Sequence, residues 1–336
     1  MEAEQIGLVV IGRNEGERLK RCLRSIPTAY QVVYVDSGSS DGSVAFARSM
    51  GAIIVELDNY LGFTAARARN AGWRRLLEHD PTIKLVQFVD GDCEIAAHWL
   101  SEAASAIWAD ERLGVVFGRR RERFPERSIY NRMCDDEWNV PIGLVSACGG
   151  DALFRVSALR KAGGYNDDLI AGEEPDLCLR LGREGWLVRR IDAEMTLHDA
   201  DILSFGRWWK RAQRGGFAYA EHVLRHGANG LPSWRRGLLS IVFWGIALPL
   251  TAIVAGLVLA LYSPISAALI PLGLILAYAG QFLRIAWRKL KTGVSSSFAF
   301  AYAALLMAGK FAQASGVLQC WMSRLRNRRQ GLIEYK

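Results

Sequence analysis

Leu85-Val86-Gln87-Phe88-Val89-Asp90-Gly91-Asp92 is a short β-rich run that stops on two carboxylates around a glycine, and three runs of the same kind precede it. Gly7 to Ile11 is closed by Arg13-Asn14-Glu15, Gln31 to Val35 is closed by Asp36, and Ala52 to Glu56 follows. Longer helical patterns separate or follow these runs: Glu17 to Ser25, Ser43 to Ser49, Thr64 to Leu77 and Ala97 to Trp108. Strand and helix in alternation predict a mostly parallel sheet wound with helices. In open α/β sheets the ligand sits outside the carboxyl ends of the strands, so the polar groups that end these runs are expected to meet in one site.

A chain of 336 residues can hold one full α/β domain and a smaller appendage. Its apolar content of 51% is high for a globular chain, and the excess is concentrated beyond Leu238. The formal charge of +8 is also uneven, because ten Lys and Arg face only Glu334 from Gly237 onward, which leaves the front of the chain nearly neutral. Basic charge beside apolar stretches fits anionic lipid head groups better than a phosphodiester backbone, so nucleic acid is not expected as a partner. The six cysteines show no paired short spacing of a zinc site or disulfide framework. Ile6 to Ile11 is too short for a secretory h-region and runs directly into Arg13-Asn14-Glu15, so the front domain is expected to stay cytosolic.

Leu238 to Leu261 is long enough to cross a hydrocarbon core, and Pro264 to Leu283 is a second such stretch, together a hairpin (238–261 and 264–283). Arg235-Arg236 before the pair and Arg284, Arg288, Lys289 and Lys291 after it place both ends on the cytoplasmic side. Phe298 to Leu318 is a third apolar segment with Lys310 in its middle and a basic C-terminal tail behind it, and is expected to be interfacial or re-entrant. Trp208, Trp209, Phe217 and Tyr219 mix with Arg207, Lys210, Arg211 and Arg214, so residues 201–230 are expected to contain a membrane-interface helix. The charged, irregular stretch from Arg119 to Trp138 reads as a surface loop, an acceptor-side insertion or a solvated charge run.

Val35-Asp36-Ser37-Gly38-Ser39-Ser40-Asp41-Gly42-Ser43 has neither the lysine of a P-loop nor the three-glycine spacing of a dinucleotide fold. With Val9-Val10-Ile11-Gly12-Arg13-Asn14-Glu15 it resembles the opening of family 2 glycosyltransferases of the GT-A fold. Thr64-Ala65-Ala66-Arg67-Ala68-Arg69-Asn70-Ala71-Gly72 is similar to that family's helix after the third strand, and Asp90-Gly91-Asp92 matches its D-x-D motif. Gly172-Glu173-Glu174-Pro175-Asp176-Leu177-Cys178-Leu179-Arg180 resembles its Glu-Asp-x-x-Leu-x-x-Arg segment, with Glu174 where the family has aspartate. Arg207-Trp208 resembles the Gln-x-x-Arg-Trp motif of processive synthases, but Ser204 stands in the glutamine position.

The resemblance implies a Rossmann-like GT-A catalytic domain over residues 1–236, followed over 237–336 by transmembrane or interfacial helices. It assigns Arg13, Asn14, Glu15, Asp36, Asp41, Arg69 and Asp90 to the nucleotide-sugar donor, and Asp92, Asp90 and His198 to a divalent metal, Mg²⁺ or Mn²⁺. Glu174 becomes the catalytic base with Glu173 as its substitute, and Gly149, Gly150, Asp151, Arg207 and Trp208 fall on the acceptor side. Each assignment has a plainer alternative: the Asp-Ser turn can cap a helix, Arg69 can pair with a nearby acid, and the Glu pair can cap the helix that Pro175 begins. The expected reaction is inverting transfer of a sugar to a hydroxyl acceptor, a lipid-linked glycan or polysaccharide intermediate, at the cytoplasmic face of an inner membrane that the chain crosses more than once. A polyprenyl-phosphate acceptor, or a non-catalytic scaffold in a polysaccharide assembly complex, are the alternatives.

Overall fold

The computed structural model describes residues 5–58 and 62–326. Its front half runs β1 (Ile6–Gly12), α1 (Glu17–Ser25), β2 (Gln31–Asp36), α2 (Ser43–Ser49), β3 (Ile53–Glu56), α3 (Ala65–His79), β4 (Leu85–Asp90), β5 (Cys93–Ile95) and α4 (Trp99–Trp108). There follow β6 (Leu113–Glu122), α5 (Ile129–Glu137), β7 (Gly143–Val145), β8 (Ala152–Arg155), α6 (Val156–Ala162), α7 (Glu173–Arg183) and β9 (Leu187–His198). The rear half is helical: α8 (Phe205–His226), α9 (Pro232–Val242), α10 (Leu248–Ala260), α11 (Pro264–Leu290) and α12 (Ser296–Leu325). The chain divides into two compact units, one holding residues up to Arg127 with Cys134–Asp201, the other Ser128–Met133 with the chain from Ile202 on.

In the first unit the strands form one sheet in the order β3-β2-β1-β4-β8-β6-β9-β5, with β7 on β9. Strands β1 to β4 pair in parallel, as the alternating pattern predicts, but β8 runs antiparallel to β4 and to β6, and β5 and β7 run antiparallel to β9. The sheet is therefore mixed rather than mostly parallel: beyond the first four strands, β6 and β9 add one parallel pair and the remaining pairs are antiparallel. Register explains the site. Gly12 pairs with Asp36 and Ile11 with Asp90, so β1, β2 and β4 end side by side. On the far side of the sheet Cys93 and Glu122 each pair with His198, which puts the ends of β5, β6 and β9 in one row.

The strands are held by a dry core in which Leu8, Val10, Val33, Val35, Phe88 and Phe154 are buried. Phe88 meets Phe154 and Tyr165 edge-on, with centroids 5.4 Å apart in each pair. Gln87 is the polar exception within β4, and its amide is satisfied: Trp99 Nε1 donates to Oε1 at 2.8 Å and Nε2 donates to the Phe88 carbonyl at 2.7 Å.

The Arg119–Trp138 stretch, expected as a loop or insertion, is the end of β6 followed by α5. Arg119 and Glu122 are buried, and Arg119 pairs with Asp135 at 2.8 Å while Arg121 pairs with Glu194 at 2.6 Å. These partners lie far off in sequence or on the next element, so the charges look solvated until the strand is placed in the sheet.

In the second unit, helix continues from Pro232 to Ala260 through one π-helical stretch at Phe243–Ala247, so the first apolar helix starts earlier than Leu238. This helix and α11 are each long and apolar enough to cross a membrane. Leu257, Ile265, Leu269 and Ile275 are exposed on them, which suits contact with hydrocarbon rather than water. The third apolar segment belongs to one unbroken helix, α12, packed closely on α8. Small residues permit that approach, since a Cβ on Gly216 would lie 1.9 Å from the Gln313 carbonyl oxygen and one on Gly316 2.0 Å from that of Gln213. Trp208, Phe217 and Ala220 of α8 are buried. The basic tail beyond Arg326, including Arg328 and Arg329, lies outside the described residues.

Candidate active site

The first corner of the site is built from the turns after β1 and β2. Asn14 is left-handed at φ 53°, a conformation its short polar side chain tolerates. Its backbone N–H donates to Ser39 Oγ at 2.9 Å, and its Oδ1 accepts from the Ser40 N–H at 2.8 Å. Asp41 Oδ2 accepts from Gly16 N–H at 2.8 Å, and its other oxygen from the Ser43 hydroxyl at 2.6 Å, tying the two turns together. Asp36 is buried: Gly38 and Ser39 donate their N–H groups to Oδ2 at 2.9 and 2.7 Å, and the Tyr34 hydroxyl donates to Oδ1 at 2.9 Å. Arg13 lies over the Phe63 ring at 5.3 Å, and Glu15 pairs with Arg18 at 2.8 Å.

Asp90 continues this row and is clasped by two guanidinium groups. Arg69 Nη2 reaches Oδ1 at 3.0 Å and Arg120 Nη2 reaches Oδ2 at 3.2 Å. Arg69, buried on α3, also pairs through Nη1 with Glu173 at 3.0 Å and Glu174 at 3.1 Å. The alternative reading, an arginine pairing with nearby acids, therefore describes its geometry. Arg120 Nη1 lies 3.5 Å from Asp151 Oδ2, and its guanidinium sits 4.9 Å from the Trp138 ring centroid. Asp151 is buried, accepting from the Asp90 N–H at 2.9 Å and the Thr196 hydroxyl at 2.8 Å. Gly150 backs onto this knot, where a Cβ would stand 2.5 Å from Arg69 Nη2 and 2.9 Å from Asp90 Oδ2, while one on Gly149 would meet nothing.

Glu173 and Glu174 occupy the first turn of α7, whose N-cap is the left-handed Gly172. Burial pushes the Glu174 carboxyl up to about 7, with the neighbouring Glu173 charge adding to the rise and Arg69 opposing it. A carboxylate poised near neutrality can exchange a proton with a hydroxyl at working pH.

Asp92 has a different neighbour. His198 Nε2 lies 3.3 Å from its Oδ2, and His198 Nδ1 lies 3.6 Å from Glu122 Oε2. The Trp138 ring closes on the imidazole edge-to-face at 4.7 Å. Burial, reinforced by the Arg120 charge, lowers the His198 pKa below its ordinary value, so the ring is a neutral donor at physiological pH. Ligand atoms of Asp92, Cys93 and His198 all lie within 4.8 Å of one another, as do those of Asp90, Cys93 and Asp151. Carboxylate and imidazole suit a divalent cation. The second group already carries two guanidinium charges on Asp90.

The front-half residues singled out from the sequence thus meet along the carboxyl ends of the strands. Arg207 and Trp208 belong to the second unit, where Trp208 is buried and stacks on Tyr130 at 5.8 Å. Sequence reading missed Arg120, Glu122 and Trp138. The available signal was the alternation of Arg120 and Glu122, two residues apart on one strand and so on one face.

Residues 8–162 match the family model described as glycosyl transferase family 2. The chain is 29% identical over 235 residues to the glycosyltransferase AglE of Haloferax volcanii, covering 63% of this chain and 71% of AglE. It is 23% identical over 267 residues to the succinoglycan biosynthesis protein ExoA of Rhizobium meliloti, covering 72% and 80%. Among solved structures, the mannosyltransferase PcManGT from Pyrobaculum calidifontis, in complex with GDP-Man and Mn²⁺, superposes with a TM-score of 0.58 at 23% identity, over 94% of this chain and 87% of that one.

Proposed function

We propose that this chain, a glycosyltransferase carrying a family 2 domain of the GT-A fold, transfers a sugar with inversion from a nucleoside-diphosphate donor to a hydroxyl on a lipid-linked glycan or polysaccharide intermediate. The observation that carries this reading is the pairing of a carboxyl poised near neutrality, Glu174, with the Asp92–His198 pair across the Asp90–Arg69 link. The loops at Arg13–Glu15 and Asp36–Asp41, braced against each other through Asn14 and Asp41, would receive the nucleotide.

Asp92 and His198 would hold a divalent ion, which when bound supplies Lewis-acid stabilisation of the departing diphosphate. Mn²⁺ beside GDP-Man in PcManGT supports this choice of ion class. Asp90 serves differently in this reading: it orients Arg69 and Arg120, whose positive charge faces the region where negative charge develops. Glu174 accepts the proton of the acceptor hydroxyl as the oxygen forms its bond to the anomeric carbon and the bond to the donor phosphate breaks. Glu173, paired through the same Arg69, raises the basicity of Glu174 by its charge.

The helical hairpin of Pro232–Ala260 and α11 supports a membrane anchor, and the flanking Arg235, Arg236, Arg284, Arg288, Lys289 and Lys291 support a catalytic domain on the cytoplasmic side. The domain boundary near residue 236 belongs to the same reading. Thermal shift and donor hydrolysis of detergent-purified protein against UDP-, GDP- and dTDP-sugars, with Mn²⁺ or EDTA, test it. One donor should stabilise the protein only with metal and lose that effect in Asp92→Ala. Absence of any nucleotide-sugar binding in either condition contradicts the proposal.

A further inference from the structure

Glu122 lies in none of the motifs, yet its carboxylate is buried at the end of β6, directly across from His198 in the β6–β9 register. It is held rigidly: Phe124 N–H donates to Oε1 at 3.1 Å and Ala200 N–H to Oε2 at 3.0 Å. The chain carrying His198 is fixed on both sides, with Arg123 N–H donating to the His198 carbonyl at 2.7 Å and Asp199 N–H to the Asp92 carbonyl at 3.1 Å. Between these supports the imidazole has one nitrogen toward Glu122 and the other toward Asp92. Trp138 bounds the ring edge-to-face.

We infer that Glu122 is a positioning residue that selects the His198 tautomer, keeping the proton on Nδ1 so that Nε2 offers its lone pair beside Asp92. A carboxylate faces each ring nitrogen, Asp92 at 3.3 Å from Nε2 and Glu122 at 3.6 Å from Nδ1, and a cation held by Asp92 and Nε2 would leave the ring hydrogen on Nδ1, toward Glu122. Nε2 and Asp92 Oδ2, 3.3 Å apart, would then be the two electron donors to that cation. The inference rests on the proposed metal site and adds the group that orients its histidine.

Mn²⁺ binding to the detergent-purified full chain, followed by electron paramagnetic resonance, tests it in wild type, Glu122→Gln, His198→Ala and the double variant. Glutamine can turn its amide N–H₂ toward the imidazole and drive the proton to Nε2. The expected loss of Mn²⁺ affinity in Glu122→Gln is about 10–100-fold. In the His198→Ala background the same substitution should cost nothing further, because the group through which it acts is gone. Equal losses in both backgrounds, or wild-type affinity in Glu122→Gln, overturn the inference. Nitrogen shifts of ¹⁵N-histidine-labelled wild-type protein give a second readout independent of any variant's folding. Protonation at Nδ1 of His198 in the Mg²⁺-loaded protein is expected, and protonation at Nε2 under those conditions contradicts the role. A wild-type chain that binds no Mn²⁺ but shows the Nδ1 tautomer would remove the metal site while keeping the contact, and would overturn the orienting purpose claimed for it.

Discussion

Asp90 and Asp92 stand two residues apart on one turn, but their surroundings treat the same carboxylate chemistry in opposite ways. Asp90 receives Arg69 and Arg120 at 3.0 and 3.2 Å. Asp92 receives an imidazole whose pKa is lowered by burial, and so a neutral neighbour. A buried carboxylate is costly unless its charge is met. The first is met by cations the protein itself supplies, and the second, in the proposed function, by an ion taken from solution. The D-x-D spacing alone does not distinguish the two roles; the strands that arrive beside each residue do.

The largest effect should come from the Asp92 side. Asp92→Ala is expected to lower transferase activity on the order of 10³-fold in saturating donor, measured as sugar transfer or donor hydrolysis. Activity within tenfold of wild type would make the two carboxylates equivalent bystanders.

On the Asp90 side, the link through Arg69 ends at Glu174. Glu174→Gln should reduce kcat about 10²-fold or more, with little change in donor binding. In wild type the rate should climb as pH rises through about 7, because the base acts only when ionised. Stability runs the other way. A carboxyl whose folded pKa is raised contributes stability below its unfolded pKa and loses it as pH rises through about 7. Thermal melting of Glu174→Gln should therefore depend less on pH across that window than wild type, and an unchanged dependence would break the assignment.

Asp90→Asn should act mainly on folding. It removes the shared counter-charge of buried Arg69 and half-buried Arg120, although Glu173, Glu174 and Asp151 remain beside them, so a cost of about 3 kcal/mol in chemical denaturation is expected. A smaller effect of the same kind is expected for Gly150→Ala, about 1–3 kcal/mol, since the new methyl must displace the Arg69–Asp90 pair. Wild-type stability in both would show that the knot is loose.

Much of this was legible in the sequence. The ranges of α1 and α2 coincide with their periodicity, β2 and β4 differ from it by a residue at one end, and β1 by a residue at each end. Those elements obey local rules: β-rich runs, helical spacing, and polar residues where each strand stops. The GT-A assignment follows from motifs carried by the same strands. Arg120 and Glu122 were hidden because β6 ends with charge on both faces, Arg119-Arg120-Arg121-Glu122, and shows no apolar period there. Their meaning comes from Asp90, Asp151 and His198, which only the sheet order brings next to them. For the same reason the closeness of α8 and α12 could not be read from hydropathy: it depends on two glycines, Gly216 and Gly316, placed where the helices cross.

The contrast between the two carboxylates is tested most directly by Mn²⁺ titration of Asp90→Asn and Asp92→Asn in parallel, read by electron paramagnetic resonance on folded, detergent-purified protein. The account predicts that Asp92→Asn loses Mn²⁺ binding and that Asp90→Asn keeps it within a few-fold of wild type. Equal loss in both, or loss only in Asp90→Asn, would contradict it.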